Sequence, residues 1–424
     1  MKPPSLPHER LVYVDWLRIG AFALLVLYHV GMLYVPWDFH VKQQPTLPAL
    51  EPLMRLTNPW RMSLLFTVSG LATGLMLGRP GLARERSKRL LLPLLFGMAV
   101  IVPPQSWLQV REQFGYGGSW LDFLRLYFGA YHGFCGPKGC LVLPTWNHLW
   151  FLPYLWSYTM LLLLALRLLP HAGLRRAADA GSRLAGWRLL WLPLLLLGAL
   201  RVGLFPRFGE THALLDDWAA HAGYGSMFAF GVLLARRRTL LTQLQALRWP
   251  ALGLGLAAWL VLVLYPGLLP GWPAVSDAWR APMRLAFAMA QWCGVVAAFG
   301  FARAHLDFDH RWRAPLTEAV FPLYLVHQTI LIVAAVALRS LALPAGLEAT
   351  VIVALTFAGG WAAWRLAWRS GWLRPWLGLA RQATRPNQSS DSADPATMSN
   401  TAAAASPAVS SVSRVPTCRR EPSC

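Results

Sequence analysis

The sequence predicts an all-α fold, a polytopic membrane bundle of about ten transmembrane helices with both termini in the cytoplasm. Three observations carry this. Of 424 residues 56% are hydrophobic and only 14% charged, whereas a soluble chain carries about a quarter charged residues. Apolar stretches recur at the length of about 20 residues that a helix needs to cross hydrocarbon. Basic residues collect on alternate connections between those stretches, as the positive-inside rule requires. The formal net charge of +20 would by itself suggest a polyanion partner. The low charged fraction and high apolar content make a nucleic-acid binder the wrong class, so no nucleic acid is expected among the partners.

In chain order the stretches are 14–35, 61–78, 90–108, 147–169, 187–205, 218–235, 249–266, 282–302, 315–338 and 347–368. Pro93, Pro153, Pro193 and Pro322 lie within spans, where neighbouring helices satisfy the backbone groups a proline frees. With the N-terminus inside, 28 of the 39 basic residues fall on the cytoplasmic side, ten fall outside, and Arg201 lies within a span. An odd number of spans would break this alternation. Three regions result: a cytoplasmic N-terminal segment 1–13, a ten-helix membrane domain 14–370, and a cytoplasmic tail 371–424. The tail is rich in Ser, Ala, Thr and Pro and is expected to be disordered from about 382. The first apolar run is too long for a signal-peptide core and has no small-x-small cleavage site after it, so it reads as a retained helix.

Among the five cysteines, Cys293 lies in a span and reads as a small buried apolar residue. Cys418 and Cys424 fall in the tail. Cys135 and Cys140, in FCGPKGCL, sit in a large outer loop, where they either pair across a Gly/Pro turn in an oxidising compartment or stay reduced. No further Cys or His stands at ligand spacing, so no metal is expected.

Ionisable groups within spans are costly and point to function. Arg18 and His29 in the first span are eleven residues apart, about three helical turns, so they share a face and are separated by about 16 Å along the axis. Arg18 alone reads as a snorkelling anchor, and His29 alone as a buried histidine bonded across helices. Together they suit a substrate with an anionic head and a reactive end, with His29 able to move a proton near neutral pH. Asp15 is three residues before Arg18 and can pair with it. Arg61 opens the second span from the outside, and Ser69-Gly70 lies deeper, where small residues allow close packing. Arg84, Arg86, Lys88 and Arg89 form either a topology cluster or a phosphate site, because guanidinium forks hold phosphate bidentately. At the outer end of the fourth span Asn147 and His148 stand beside Trp146 and Trp150. His327-Gln328 lies well inside the ninth span. Arg201 and His221 read as structural.

These segments together resemble the acyltransferase 3 family of integral-membrane acyltransferases. The likeness is closest to its glucan-modifying branch, typified by the glucans biosynthesis succinyltransferase. The segments are ERLVYVDWLRIGAFALLVLYHVGMLY, RMSLLFTVSGLATGLML, RSKRLLLP, NHLWFLPYL and PLYLVHQTI, in family order over about residues 9–370. The resemblance implies His29 in the catalytic position with Arg18 assisting. It implies Arg86 and Arg89, with Arg18, as the acyl-CoA-binding residues at the cytoplasmic face. Asp15, Arg61, Ser69, His148, Trp150 and His327 are then site-lining. The implied reaction moves an acetyl or succinyl group from cytoplasmic acetyl-CoA or succinyl-CoA to a hydroxyl of an extracytoplasmic glycan such as a periplasmic glucan. The implied setting is the bacterial inner membrane, with the lipid bilayer, acyl-CoA, the glycan acceptor and glycan-assembly proteins as partners. The rival class is a proton-coupled transporter of a small anionic solute or glycan precursor, which buried Arg, His and Glu would also fit. The inverted repeat seen in many transporters is not visible here.

Overall fold

The computed structural model describes residues 11–137, 139–170 and 184–380. Residues 1–10, Lys138, the basic connection holding Arg175, Arg176 and Arg183, and the tail expected to be disordered lie outside the described residues. In chain order the α-helices are α1 (Val12–Tyr34), α2 (Glu51–Met76), α3 (Leu82–Phe96), α4 (Pro103–Phe114), α5 (Trp120–Phe128) and α6 (Phe151–Leu168). They continue as α7 (Trp187–Phe208), α8 (Trp218–Arg236), α9 (Thr239–Ala246), α10 (Arg248–Leu268), α11 (Asp277–His305), α12 (Arg313–Leu338) and α13 (Ala345–Arg369). A two-stranded antiparallel hairpin, β1 (Cys135–Gly136) with β2 (Gly139–Cys140), stands between α5 and α6. A Cys135–Cys140 disulfide closes it.

Among the described residues seven helices are long and apolar enough to cross a membrane, the ones built on α1, α6, α7, α10, α11, α12 and α13. An eighth span results if Leu82–Ile101 and Pro103–Phe114, bent by 46°, count as one. The break has a local cause. Pro103 and Pro104 have no N–H to offer the preceding turn, and the turn just before them, Gly97–Ile101, widens to a π-helix. Carbonyls there take side-chain donors instead, Met98 from Tyr127 Oη at 2.8 Å and Ile101 from Thr329 Oγ1 at 2.7 Å.

The expectation of about ten spans is met only in part. The predicted spans 61–78 and 218–235 fall on α2 and α8, which are helical but do not reach the apolar threshold. The reason is burial. α2 carries Arg61, Ser63, Thr67 and Thr73 and buries all four, so its polar groups are solvated by protein and the helix has no need of a lipid-facing composition. α2 and α8 meet backbone to backbone. A Cβ on Gly70 would fall 2.0 Å from the Phe228 carbonyl oxygen, and one on Gly231 would fall 2.0 Å from that of Thr67. Small residues make such contact possible.

After α13 the chain turns back on the bundle. Leu373, Leu377 and Leu379 join the main core, Arg374 donates to Glu318 Oε1 at 3.1 Å, and Trp376 packs on Phe96 of α3. Residues 371–380 are thus part of the folded unit, while the tail from 381 on lies outside the described residues.

Candidate active site

Three histidines from three distant parts of the chain meet between α1, α12 and the start of α6. His29 Nδ1 lies 3.0 Å from His327 Nε2. The other nitrogen of His327, Nδ1, lies 2.7 Å from the Tyr324 carbonyl oxygen one turn earlier in α12. The His148 ring stands edge-on to His327 with centroids 4.9 Å apart. His148 Nε2 lies 2.9 Å from the Leu325 carbonyl oxygen, while Tyr324 Oη donates to the His148 carbonyl at 2.9 Å. His327 is fully buried. A polar layer backs the cluster: Gln105, just past the α3–α4 break, accepts from Gln328 Nε2 at 3.1 Å and from Asn147 Nδ2 at 3.2 Å, and donates to Thr329 Oγ1 at 2.6 Å.

His29 opens onto a cavity of about 470 Å³. Arg61, His148, Trp150, Tyr324 and Gln328 also line it. The Arg61 guanidinium carbon lies over the Tyr28 ring, 3.4 Å from its centroid. Its Nε and Nη1 are buried with no hydrogen-bond partner. Buried donors without an acceptor are costly, so these two N–H groups favour a negatively charged acceptor that forms or arrives in the cavity. The Trp150 ring stacks on His212 at 4.1 Å. Arg201 sits between the Phe205 and Phe287 rings and pairs with Glu210.

Two connections line the cavity and carry side chains that periodicity could not place. After α1, Lys42 Nζ donates to the Met32 and Val35 carbonyls at 2.6 and 2.7 Å, capping the helix end. Gln113 Nε2 holds the Phe39 carbonyl at 2.8 Å. This return path puts Asp38, Phe39 and His40 at the cavity, with Phe39 stacked parallel to His29 at 6.1 Å. His40 Nδ1 lies 2.7 Å from Gln109 Oε1. Burial lowers the His40 pKa, partly offset by that hydrogen bond. Between α7 and α8, Asp217 accepts from the His212 N–H at 2.9 Å. Burial lowers the His212 pKa as well, with Glu210 and Asp217 opposing.

The acyltransferase 3 domain matches residues 11–365. The chain belongs to the acyltransferase 3 family. No curated protein and no solved structure matches it. Family membership together with the apolar helices makes this a multi-pass membrane protein and implies acyltransferase activity.

The structure distributes the other predicted residues of this acyltransferase as follows. Arg18 lies about 16 Å along α1 from His29 by helical rise and lines none of the large cavities described here. Asp15 accepts from Arg313 Nη1 at 2.5 Å, so its close partner is at the start of α12. Arg86 Nη2 donates to Thr73 Oγ1 at 2.9 Å, and its Nε is buried without a partner. Arg89 is exposed and, with Lys88 and Glu85, lines a separate cavity of about 360 Å³ between α3 and residues 375–380. That cavity shares no lining residue with the one at His29. Ser69 lines neither and sits beside the Gly70 contact with α8. His221 is satisfied by Tyr158 Oη at 3.1 Å and the Leu214 carbonyl. Among the described residues no group of three or more His, Cys, Asp or Glu side chains is arranged to hold a metal ion.

Sequence reasoning overlooked Gln105, His40, Glu210, His212 and Tyr28. The Pro103-Pro104 pair was a usable signal for Gln105, since a broken helix inside a membrane commonly lines a cavity. His40, Glu210 and His212 lie on connections, whose path no periodicity reports.

Proposed function

We propose that this protein is an O-acyltransferase that uses His29 as general base. On this reading it moves an acetyl or succinyl group from cytoplasmic acyl-CoA to a hydroxyl of an extracytoplasmic glycan such as a periplasmic glucan. It would lie in the bacterial inner membrane with ten spans and both termini inside, α2 and α8 counted among the spans because they pack into the bundle at membrane-helix length. The observation that supports the chemistry most is the His29 environment. One ring nitrogen is engaged by His327, and the ring opens on a cavity that Arg61, with its Nε and Nη1 unpartnered, also lines.

The proposed step balances simply. His29 takes the proton of the acceptor hydroxyl as its oxygen attacks the thioester carbonyl carbon. Arg61 stabilises the negative charge that develops on the carbonyl oxygen. As the carbon–sulfur bond breaks, His29 returns the proton to the leaving sulfur, yielding the ester and free thiol. Arg86, Arg89 and Lys88 supply the cationic donor set that the phosphates of acyl-CoA require. With Arg18 they would hold the donor at the cytoplasmic end, leaving the acyl arm to run along α1 toward His29.

The proton-coupled carrier is the weaker reading, because family membership implies acyl transfer. The test is His29→Ala in purified protein, reading thiol release from acetyl-CoA and succinyl-CoA, alongside mass spectrometry of cell-surface and periplasmic glycans. Loss of transfer with normal membrane accumulation supports the reading, and retained transfer overturns it. Trapping labelled acyl groups on the protein without acceptor distinguishes an acyl-histidine route from direct transfer.

A further inference from the structure

His29 and His327 are 298 positions apart, yet their rings share one hydrogen bond whose direction can be worked out from what lies behind His327. His327 Nδ1 is 2.7 Å from the Tyr324 carbonyl oxygen. A carbonyl only accepts, so Nδ1 carries the hydrogen. The His327 ring is fully buried. Its ring neighbours are the imidazoles of His29 and His148 and the Tyr324 phenol, with no carboxylate among them. A buried imidazolium without a counter-charge is costly, so His327 is neutral and its Nε2 holds a lone pair. Nε2 lies 3.0 Å from His29 Nδ1. Two lone pairs would repel at that distance, so His29 Nδ1 is the donor. The unprotonated nitrogen of His29 is therefore Nε2, on the far side of the ring.

The ring that makes this choice is itself immobilised. His148 stands edge-on against His327 and is held by the Leu325 carbonyl at 2.9 Å. Phe39 lies parallel to His29 at 6.1 Å. The order is thus backbone carbonyl, His327, His29, cavity.

We propose that His327 is a positioning residue: it holds His29 in the tautomer protonated at Nδ1, so that the Nε2 lone pair faces the acceptor. This rests on the reading of His29 as the base. It adds a role for His327 during transfer. When His29 Nε2 takes the acceptor proton, its Nδ1–H bond to His327 spreads the positive charge over two rings, and the Nδ1–H of His327 remains on the Tyr324 carbonyl. The proton then leaves from His29 Nε2 to the departing sulfur, and both rings return to their starting tautomers. No outside proton donor is needed.

The test compares His327→Phe, which keeps the ring volume and removes the acceptor, with His327→Gln, which retains an oxygen acceptor. The probe is thiol release from acetyl-CoA by detergent-solubilised protein. His327→Phe is expected to lower kcat by about 10²-fold or more with KM for acetyl-CoA unchanged, and His327→Gln to recover at least about tenfold of that loss. Combined with His29→Ala, His327→Phe should cost nothing further, because the two act as one unit. Nitrogen-15 spectra of histidine-labelled protein give a readout that needs no acyl donor. Wild-type His29 should show one tautomer with a lone pair on Nε2, and His327→Phe should show a mixture. A kcat within threefold of wild type, equal losses in the Phe and Gln variants, an undiminished loss in the His29→Ala background, or an unchanged His29 tautomer would each overturn the proposal. Full activity in His29→Ala alone would instead sink the general-base reading, and the spectra would still decide the tautomer claim.

Discussion

Arg18 and His29 stand on one face of one helix, yet their surroundings differ in kind. The imidazole is bonded at Nδ1, stacked on Phe39, and backed by a second imidazole that is fully buried. At the arginine end Arg89 is exposed, and Arg86 has one side-chain hydrogen bond, to Thr73. On the proposed function the contrast matches the two tasks. Proton transfer needs a heavy-atom approach of about 3 Å with the right tautomer, so its geometry has to exist before substrate arrives. Phosphate capture needs cations near one another, and flexible guanidinium forks can close around the anion when it binds. The imidazole pair is built into the core, whereas Arg89 is left at the edge.

The strongest way to break this comparison is His29→Ala, which should reduce acyl transfer by at least about 10²-fold, read as thiol release from the solubilised protein. Next is Arg61→Leu. Its guanidinium has unpartnered Nε and Nη1 at the cavity. If it stabilises the developing oxyanion, kcat should fall about 10²- to 10³-fold while acyl-CoA affinity is unchanged. A variant of the scaffold sharpens the meaning of both. Gly231→Leu places a side chain on the Thr67 backbone and should destabilise by about 3 kcal/mol or more, seen as a lowered midpoint in thermal unfolding of detergent-solubilised protein. That loss identifies what a purely structural defect looks like, against which His29→Ala should unfold normally.

At the arginine end the expected effects are smaller. Arg89→Gln should raise KM for acyl-CoA by about tenfold or more with little change in kcat, since one charge-assisted bond is worth about 1.5–3 kcal/mol. Salt should mimic the substitution in part, because exposed charges are screened. The smallest effect is a pH slope at the cavity rim. Burial holds His40 and His212 below the ordinary imidazole range, so the folded state binds fewer protons than the unfolded one. Their contribution is therefore complete above the unfolded value of about 6.5 and is lost as pH falls through the folded values. His40→Gln should flatten the acid side of the thermal-stability profile, measured in detergent between about pH 7 and pH 4.

Much of this is legible in the sequence. His29 and His327 stand out as imidazoles within apolar runs, and Arg18 shares the His29 face because three helical turns separate them. What the run of letters did not disclose is that His327 bonds His29 while Ser69, in the second span, lines neither cavity. It also did not disclose that Asp15 would reach Arg313 at the start of α12. The number of sufficiently apolar helices falls short of ten for a related reason: hydropathy reports exposure to lipid, and α2 and α8 turn polar residues toward protein.

The sequence by itself determined the membrane-helical class and the family, because composition, length and periodicity are properties of single segments. Only the tertiary structure decided which imidazole faces which, that the Asp38–His40 return path would line the cavity, and that Arg61 Nε and Nη1 would be buried there without a hydrogen-bond partner. Those outcomes depend on how helices rotate and pack against one another. A hydrogen bond between rings at 3.0 Å is fixed by that packing, to which neither helix contributes alone.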